Sequence, residues 1–211
     1  DVTVETFYEW VIETGPFGSE HPDIPGVTWV PDLEPYIERK LFTVNTGHAT
    51  SAWFGYAAGI EKISDALADP EVGARVRAVL VETASLIVAK HGVDAATQAA
   101  YVEKILKRFA NPYLPDTTLR VGRAPLRKLS RNDRFVSPAA QLAERGMGRD
   151  ALLEAIGAGL RFDAPDDPEA VELQSLLATA SAAEVVGTVT GLPADHPLYA
   201  DVLAVVQARQ A

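Results

Sequence analysis

The chain has 211 residues, enough for one sizeable core or two small ones, and its 47% hydrophobic content with a mean hydropathy of +0.03 is that of a folded globular protein. A formal charge of −10 argues against nucleic acid or an anionic membrane as partner. Zero cysteines exclude disulfides and thiolate metal sites, and no apolar run approaches the roughly 18 residues of a membrane span. Residues 1–5 carry no basic or apolar leader, so no signal peptide is expected, and a cytoplasmic location fits.

In chain order, residues 6–13 read as a short amphipathic helix stopped by Gly15-Pro16. Residues 15–32, rich in Pro and Gly, read as a loop with a brief strand at 27–30. From about Pro35 to Gly59 the pattern is that of one long helix, in which Thr43, Val44 and Gly47 are weak helix formers and point to a kink or an extended start. Asp69-Pro70-Glu71 supplies a carboxylate N-cap, a proline at N1 and an acid in the first turn. That helix should end at Lys90-His91-Gly92, with His91 as a cation facing the helix C-terminus. Asp94, Ser137-Pro138, Asp150, Asp167-Pro168 and His196-Pro197 mark five further starts, and Gly187 and Gly191 bracket a short turn. Trp10, Trp29 and Trp53 read as packing residues. Convincing period-2 strands and Asn-Gly hairpin turns are lacking, so the fold class expected is all-α.

The charge is unevenly distributed. Residues 1–38 contain no lysine or arginine, whereas Arg120, Arg123, Arg127, Lys128, Arg131 and Arg134 crowd one segment whose only acid is Asp133. Such a basic island is either an ion-paired structural hub or an anion site. Gly122 and Pro125 break regular structure there, as a loop wrapping a phosphate would require.

Lys40, Asn45 and His48 bring complementary chemistry into an otherwise apolar stretch. A lysine can take a proton from an alcohol once burial lowers its pKa from about 10.4, and the apolar neighbours are expected to bury Lys40. An amide can donate to a developing oxyanion, and an imidazole can orient a hydroxyl. At about 100° per residue, Asn45 lies roughly 140° from Lys40 and His48 roughly 80°, so the three can line one wall of a cleft or simply share a polar face. The remaining histidines have no zinc-ligand spacing, and no Ser lies in Gly-x-Ser-x-Gly, so no metal and no esterase triad are expected. In Asp166-Asp167, Pro168 makes Asp167 an N-cap rather than half of a catalytic pair.

The string Arg39-Lys40-Leu-Phe-Thr-Val-Asn45-Thr-Gly-His48-Ala49 resembles the signature of the polyol-specific long-chain dehydrogenases. The resemblance continues through Asn111-Pro112-Tyr113-Leu114, Arg120-Val-Gly-Arg123-x-Pro125-x-Arg127-Lys128-Leu129 and Asp166-Asp167-Pro168, nearly the whole chain. It implies a single helical C-terminal domain over 1–211, with 1–32 an entry segment and 33–211 the helical core, related to the C-terminal part of 6-phosphogluconate dehydrogenase. In the family such a domain packs behind a Rossmann domain that binds NAD. No Gly-x-Gly-x-x-Gly follows a strand here, so the chain looks like a C-terminal fragment with little activity by itself.

By the same resemblance Lys40 is the general base, Asn45 the oxyanion donor, His48 the group that positions substrate, and Arg120 and Lys128 bind the substrate chain, all without a metal. Relatives acting on free polyols or uronates carry an uncharged Gly-Ser-Gln-Lys-type stretch where this chain has Pro125-Leu-Arg127-Lys128. Added arginines suit a phosphorylated hexitol, which implies interconversion of D-mannitol 1-phosphate and D-fructose 6-phosphate, with Arg123 and Arg127 on the phosphate. The alternatives are a free-mannitol or uronate enzyme of the family, a non-catalytic helical module, and, for Arg127 alone, an ion pair with an acid of the C-terminal third.

Overall fold

The computed structural model describes residues 7–18 and 20–211. Helices make up nearly all of its regular structure, as an all-α fold requires. The exception lies near the start, where residues 7–13 do not form the expected helix. β1 (Val11–Glu13) pairs in parallel with β2 (Thr28–Val30), Val11 opposite Thr28 and Glu13 opposite Val30. Eight residues stopped by Gly-Pro are too short to sustain a helix alone, and β-branched Val11 and Ile12 suit a strand that finds a partner. Thr6, the expected start, lies outside the described residues, as do residues 1–5. Trp10 is 51% exposed rather than packed. Trp29 is half-buried between Phe17 and His21, with ring centroids 5.1 and 4.3 Å away.

The chain then runs through α1 (Glu34–Arg39), a π-helical turn (Lys40–Asn45) and α2 (Thr46–Ala57) without leaving helical geometry. α3 (Ile63–Ala68) leads into α4 (Pro70–His91), the central helix, about 33 Å long. Asp69 caps α4 as its sequence requires, accepting from the amides of Glu71 and Val72 at 3.0 Å each, and left-handed Gly92 (φ +64°) ends it. α2, α3, α5 (Ala95–Phe109) and α9 (Asp150–Leu160) pack around α4. α6 (Thr118–Gly122), α7 (Pro125–Lys128) and α8 (Val136–Glu144) precede α9 (Asp150–Leu160). α10 (Pro168–Thr179), α11 (Ala182–Val185), a second π turn (Val186–Thr190) and α12 (Tyr199–Gln210) complete the chain. Gly187 lies inside that second π turn, not at the edge of a simple turn, and left-handed Gly191 closes it.

α2 is buried on nearly every side and therefore depends on small neighbours. Trp53, 1% exposed, stacks on Phe135 with centroids 4.6 Å apart and donates its indole N–H to the Gly122 carbonyl at 2.9 Å. A Cβ on Gly159 of α9 would lie 2.6 Å from the Trp53 ring, so glycine is required there for α2 and α9 to cross this closely. Asp150 opens α9 but does not cap it. The cap is tertiary: Glu82 on α4 accepts from the amides of Ala151 and Leu152 at 2.9 Å each.

Candidate active site

Lys40 and Asn45 open and close the first π turn. Its ladder runs i→i+5, with the Thr46 amide donating to the Leu41 carbonyl. Widening the coil brings residues five apart toward one face, nearer than the roughly 140° of an α-helix. Two side-chain contacts pin the turn. The Thr46 hydroxyl bonds the Arg134 carbonyl at 2.7 Å, and Gln98 of α5, 1% exposed, donates to Thr43 Oγ1 at 3.2 Å. Phe42 and Val44 face the core. Lys40 does not: it is exposed, at the edge of a small cleft with Leu33, Tyr36 and Ile37, so this chain does not supply the burial expected for it. Asn45 is half-buried.

His48 follows on α2, its ring stacked on Phe109 with centroids 4.8 Å apart and planes at 13°. Its Nε2 lies 2.9 Å from Asp116 Oδ2. Burial, then the charges of Arg108, Arg120, Lys128 and Arg134, lower its pKa to about 4. Asp116 does not reverse this, because its other oxygen pairs with Arg120. The imidazole is therefore neutral at neutral pH. Donating Nε2–H to Asp116 fixes the tautomer and leaves Nδ1 as an acceptor.

The basic segment is not a free loop but two short helices, α6 and α7, meeting at Ala124. The segment's own acid and one from a distant helix meet it. Asp133 pairs with Arg134 at 2.7 Å and with Arg127 at 3.3 Å, and Glu169 of α10 accepts the Arg127 backbone amide at 2.8 Å. Arg127 thus pairs with Asp133 of its own segment, while the acid from the C-terminal third takes only its amide. Arg123 and Arg120 are exposed. Lys128 is 5% exposed and donates to the carbonyls of Val121, at 2.7 Å, and Arg123. Burial, then Arg134 and Arg127, lower its pKa to about 8, against the pull of Asp167 and Asp133. An ammonium has three donors, so one remains for a ligand.

His91 is drawn to an acid rather than only to its helix terminus: Nε2 lies 2.6 Å from Glu38, which also pairs with Lys90 at 2.8 Å and fixes α1 to the end of α4. The groups that sequence reasoning missed are Asp116, Phe109, Thr46 and Gln98. Only Asp116 left a signal, four residues before Arg120 at ion-pair spacing.

A helical domain whose fold matches polyol dehydrogenases carries this site. In Pseudomonas fluorescens mannitol 2-dehydrogenase, solved as a ternary complex with NAD and D-mannitol, the same fold covers 87% of this chain and 39% of that one at 20% identity and a TM-score of 0.68. In a substrate-free D-sorbitol dehydrogenase it covers 82% and 32% at 20% identity and a TM-score of 0.60. A family model described as the mannitol dehydrogenase C-terminal domain matches residues 32–204, and the chain belongs to that family. It is 65% identical over 211 residues to mannitol-1-phosphate 5-dehydrogenase of Paenarthrobacter aurescens, covering 100% of this chain and 55% of that protein. It is 58% identical over 208 residues to the enzyme of that name from Aspergillus clavatus, covering 98% and 54%. The chain thus spans about half the length of the curated relatives it matches.

Proposed function

We propose that the chain is the substrate-binding and catalytic domain of an NAD-dependent enzyme interconverting D-mannitol 1-phosphate and D-fructose 6-phosphate in the cytoplasm. The observation that carries this reading is the π turn, which sets Lys40 and Asn45 toward one face beside a neutral, oriented His48. Among the described residues the only sheet is β1–β2, which cannot hold a dinucleotide. NAD, which accepts the hydride, is therefore assigned to a Rossmann domain against which this face packs in the parent protein. No metal is invoked.

In this mechanism Lys40 takes the proton of the substrate hydroxyl as its carbon gives up hydride and the C=O bond forms. The Asn45 amide donates to the oxygen as charge develops on it, and His48 Nδ1 accepts from a neighbouring hydroxyl. Arg120 and the remaining N–H of Lys128 hold the chain of the substrate. Arg123 and Arg127 hold its phosphate. Because Lys40 is exposed here, its burial must come from substrate and the adjoining domain. Lys40→Ala in the full-length parent should lower kcat by about 10²–10⁴ with modest change in KM.

The deciding assay is NADH oxidation by the full-length parent offered fructose 6-phosphate and fructose side by side. A strong preference for the phosphate that is lost in Arg123→Ala or Arg127→Ala supports the reading. Equal turnover of fructose keeps the Lys40 chemistry and refutes the phosphate assignment. The Arg127–Asp133 ion pair favours that second reading, a free-polyol enzyme whose basic segment is structural.

A further inference from the structure

Ala124 is the only non-glycine among the described residues with positive φ, at +59°. A side chain makes that conformation cost roughly 1 kcal/mol or more, and the following Pro125 crowds the α regions further. Such a residue persists only where its surroundings over-determine it. Here the Ala124 amide donates to Asp167 Oδ2 at 2.7 Å, and Asp167 is 4% exposed. Its other oxygen accepts from the Glu169 amide at 3.2 Å as the cap of α10. Glu169 in turn holds the Arg127 amide. The buried ammonium of Lys128 reaches back across the bend to the carbonyls of Val121 and Arg123. An N-cap alone is served equally by Ser or Asn, and neither explains why the first turn of α10 also grips the α6–α7 bend at two amides.

We propose that Asp167, assisted by Glu169, is a positioning residue for Lys128. By holding Ala124 left-handed it turns the Arg123 carbonyl onto the ammonium, so that two of the three donors are fixed and the third has a defined direction. The proposal rests on the reading of Lys128 as a substrate-binding group.

The test uses the full-length parent and compares Asp167→Ala, Asp167→Asn, Ala124→Gly and the double variant Asp167→Ala/Ala124→Gly. It follows amide exchange across residues 121–129 by mass spectrometry, and KM and kcat with fructose 6-phosphate. Asp167→Ala should speed exchange across that segment about tenfold, the loss of one charged hydrogen bond, and raise KM by a similar factor while kcat changes less than about threefold. Adding Ala124→Gly should restore most of the protection, because glycine takes the same φ without strain. Asp167→Asn keeps an acceptor for the cap and should fold, with a smaller shift in the same direction. Exchange that is unchanged in both Asp167 variants, or faster only in 168–179 and not rescued by glycine, overturns the proposal. Faster, rescuable exchange with an unmoved KM leaves the grip on the bend standing and refutes instead the assignment of Lys128 to substrate.

Discussion

The imidazole of His48 lies half-buried among four cations, and this decides how the protein responds to acid. Its folded pKa of about 4 lies below the ordinary 6.5, so between those values the unfolded chain binds the proton that the folded one refuses. The stability His48 contributes is therefore complete above about pH 6.5 and is lost as pH falls toward 4. His48→Gln cannot titrate, so its Tm should fall less than that of the wild type between pH 7 and pH 4.5, measured by thermal melts in parallel. The relative placement of Lys40, Asn45 and His48 could be read in part from spacing, because all three sit on one helical run. Asp116 and Asp167 were not, because the segments leading into α6 and α10 return to His48 and Ala124 from elsewhere in the chain. Nor could local sequence reveal that Lys40 faces outward, which is decided by where Phe42 and Val44 find the core.

Elements here meet where one of them is small enough. α2 presents Trp53 to α9 at Gly159, where an added Cβ would lie 2.6 Å from the indole. Gly159→Ala should cost about 1–3 kcal/mol, read as a lower denaturant midpoint, because neither helix can retreat without opening the core behind it. Pruning Trp53 as well should recover little, since its ring also stacks on Phe135 and bonds Gly122. Helix starts were readable where the cap is local, as at Asp69, Asp94 and Asp167, whose carboxylates accept from amides two or three residues on. α9 does start at Asp150, but its cap is not local: Glu82 comes from α4. β1 was misread because a strand of three residues is defined by the partner it meets.

Across the whole molecule, charge is segregated and then partly reconciled. The all-α class followed from helix periodicity and caps, but the basic segment could not be read from local composition alone, since Asp167 and Glu169 reach it through the fold. Arg123 and Arg127 stay exposed on a chain of net charge −10. If they serve a phosphate, KM for fructose 6-phosphate should rise as NaCl is raised from 50 to about 500 mM while that for fructose stays flat, because exposed charges are screened over a few ångströms at high salt. No helix among the described residues is long and apolar enough to cross a membrane. The π turn at Lys40–Asn45 also sets a phase. It holds one residue more than an unbroken α-helix would. Winding the same residues as an unbroken α-helix would rotate α1 by about 100° against α2, carrying Glu38 away from Lys90 and His91. In aligning relatives, a one-residue gap in a surface turn is a matter of length. Between Lys40 and Asn45 it would mark the loss of the π turn.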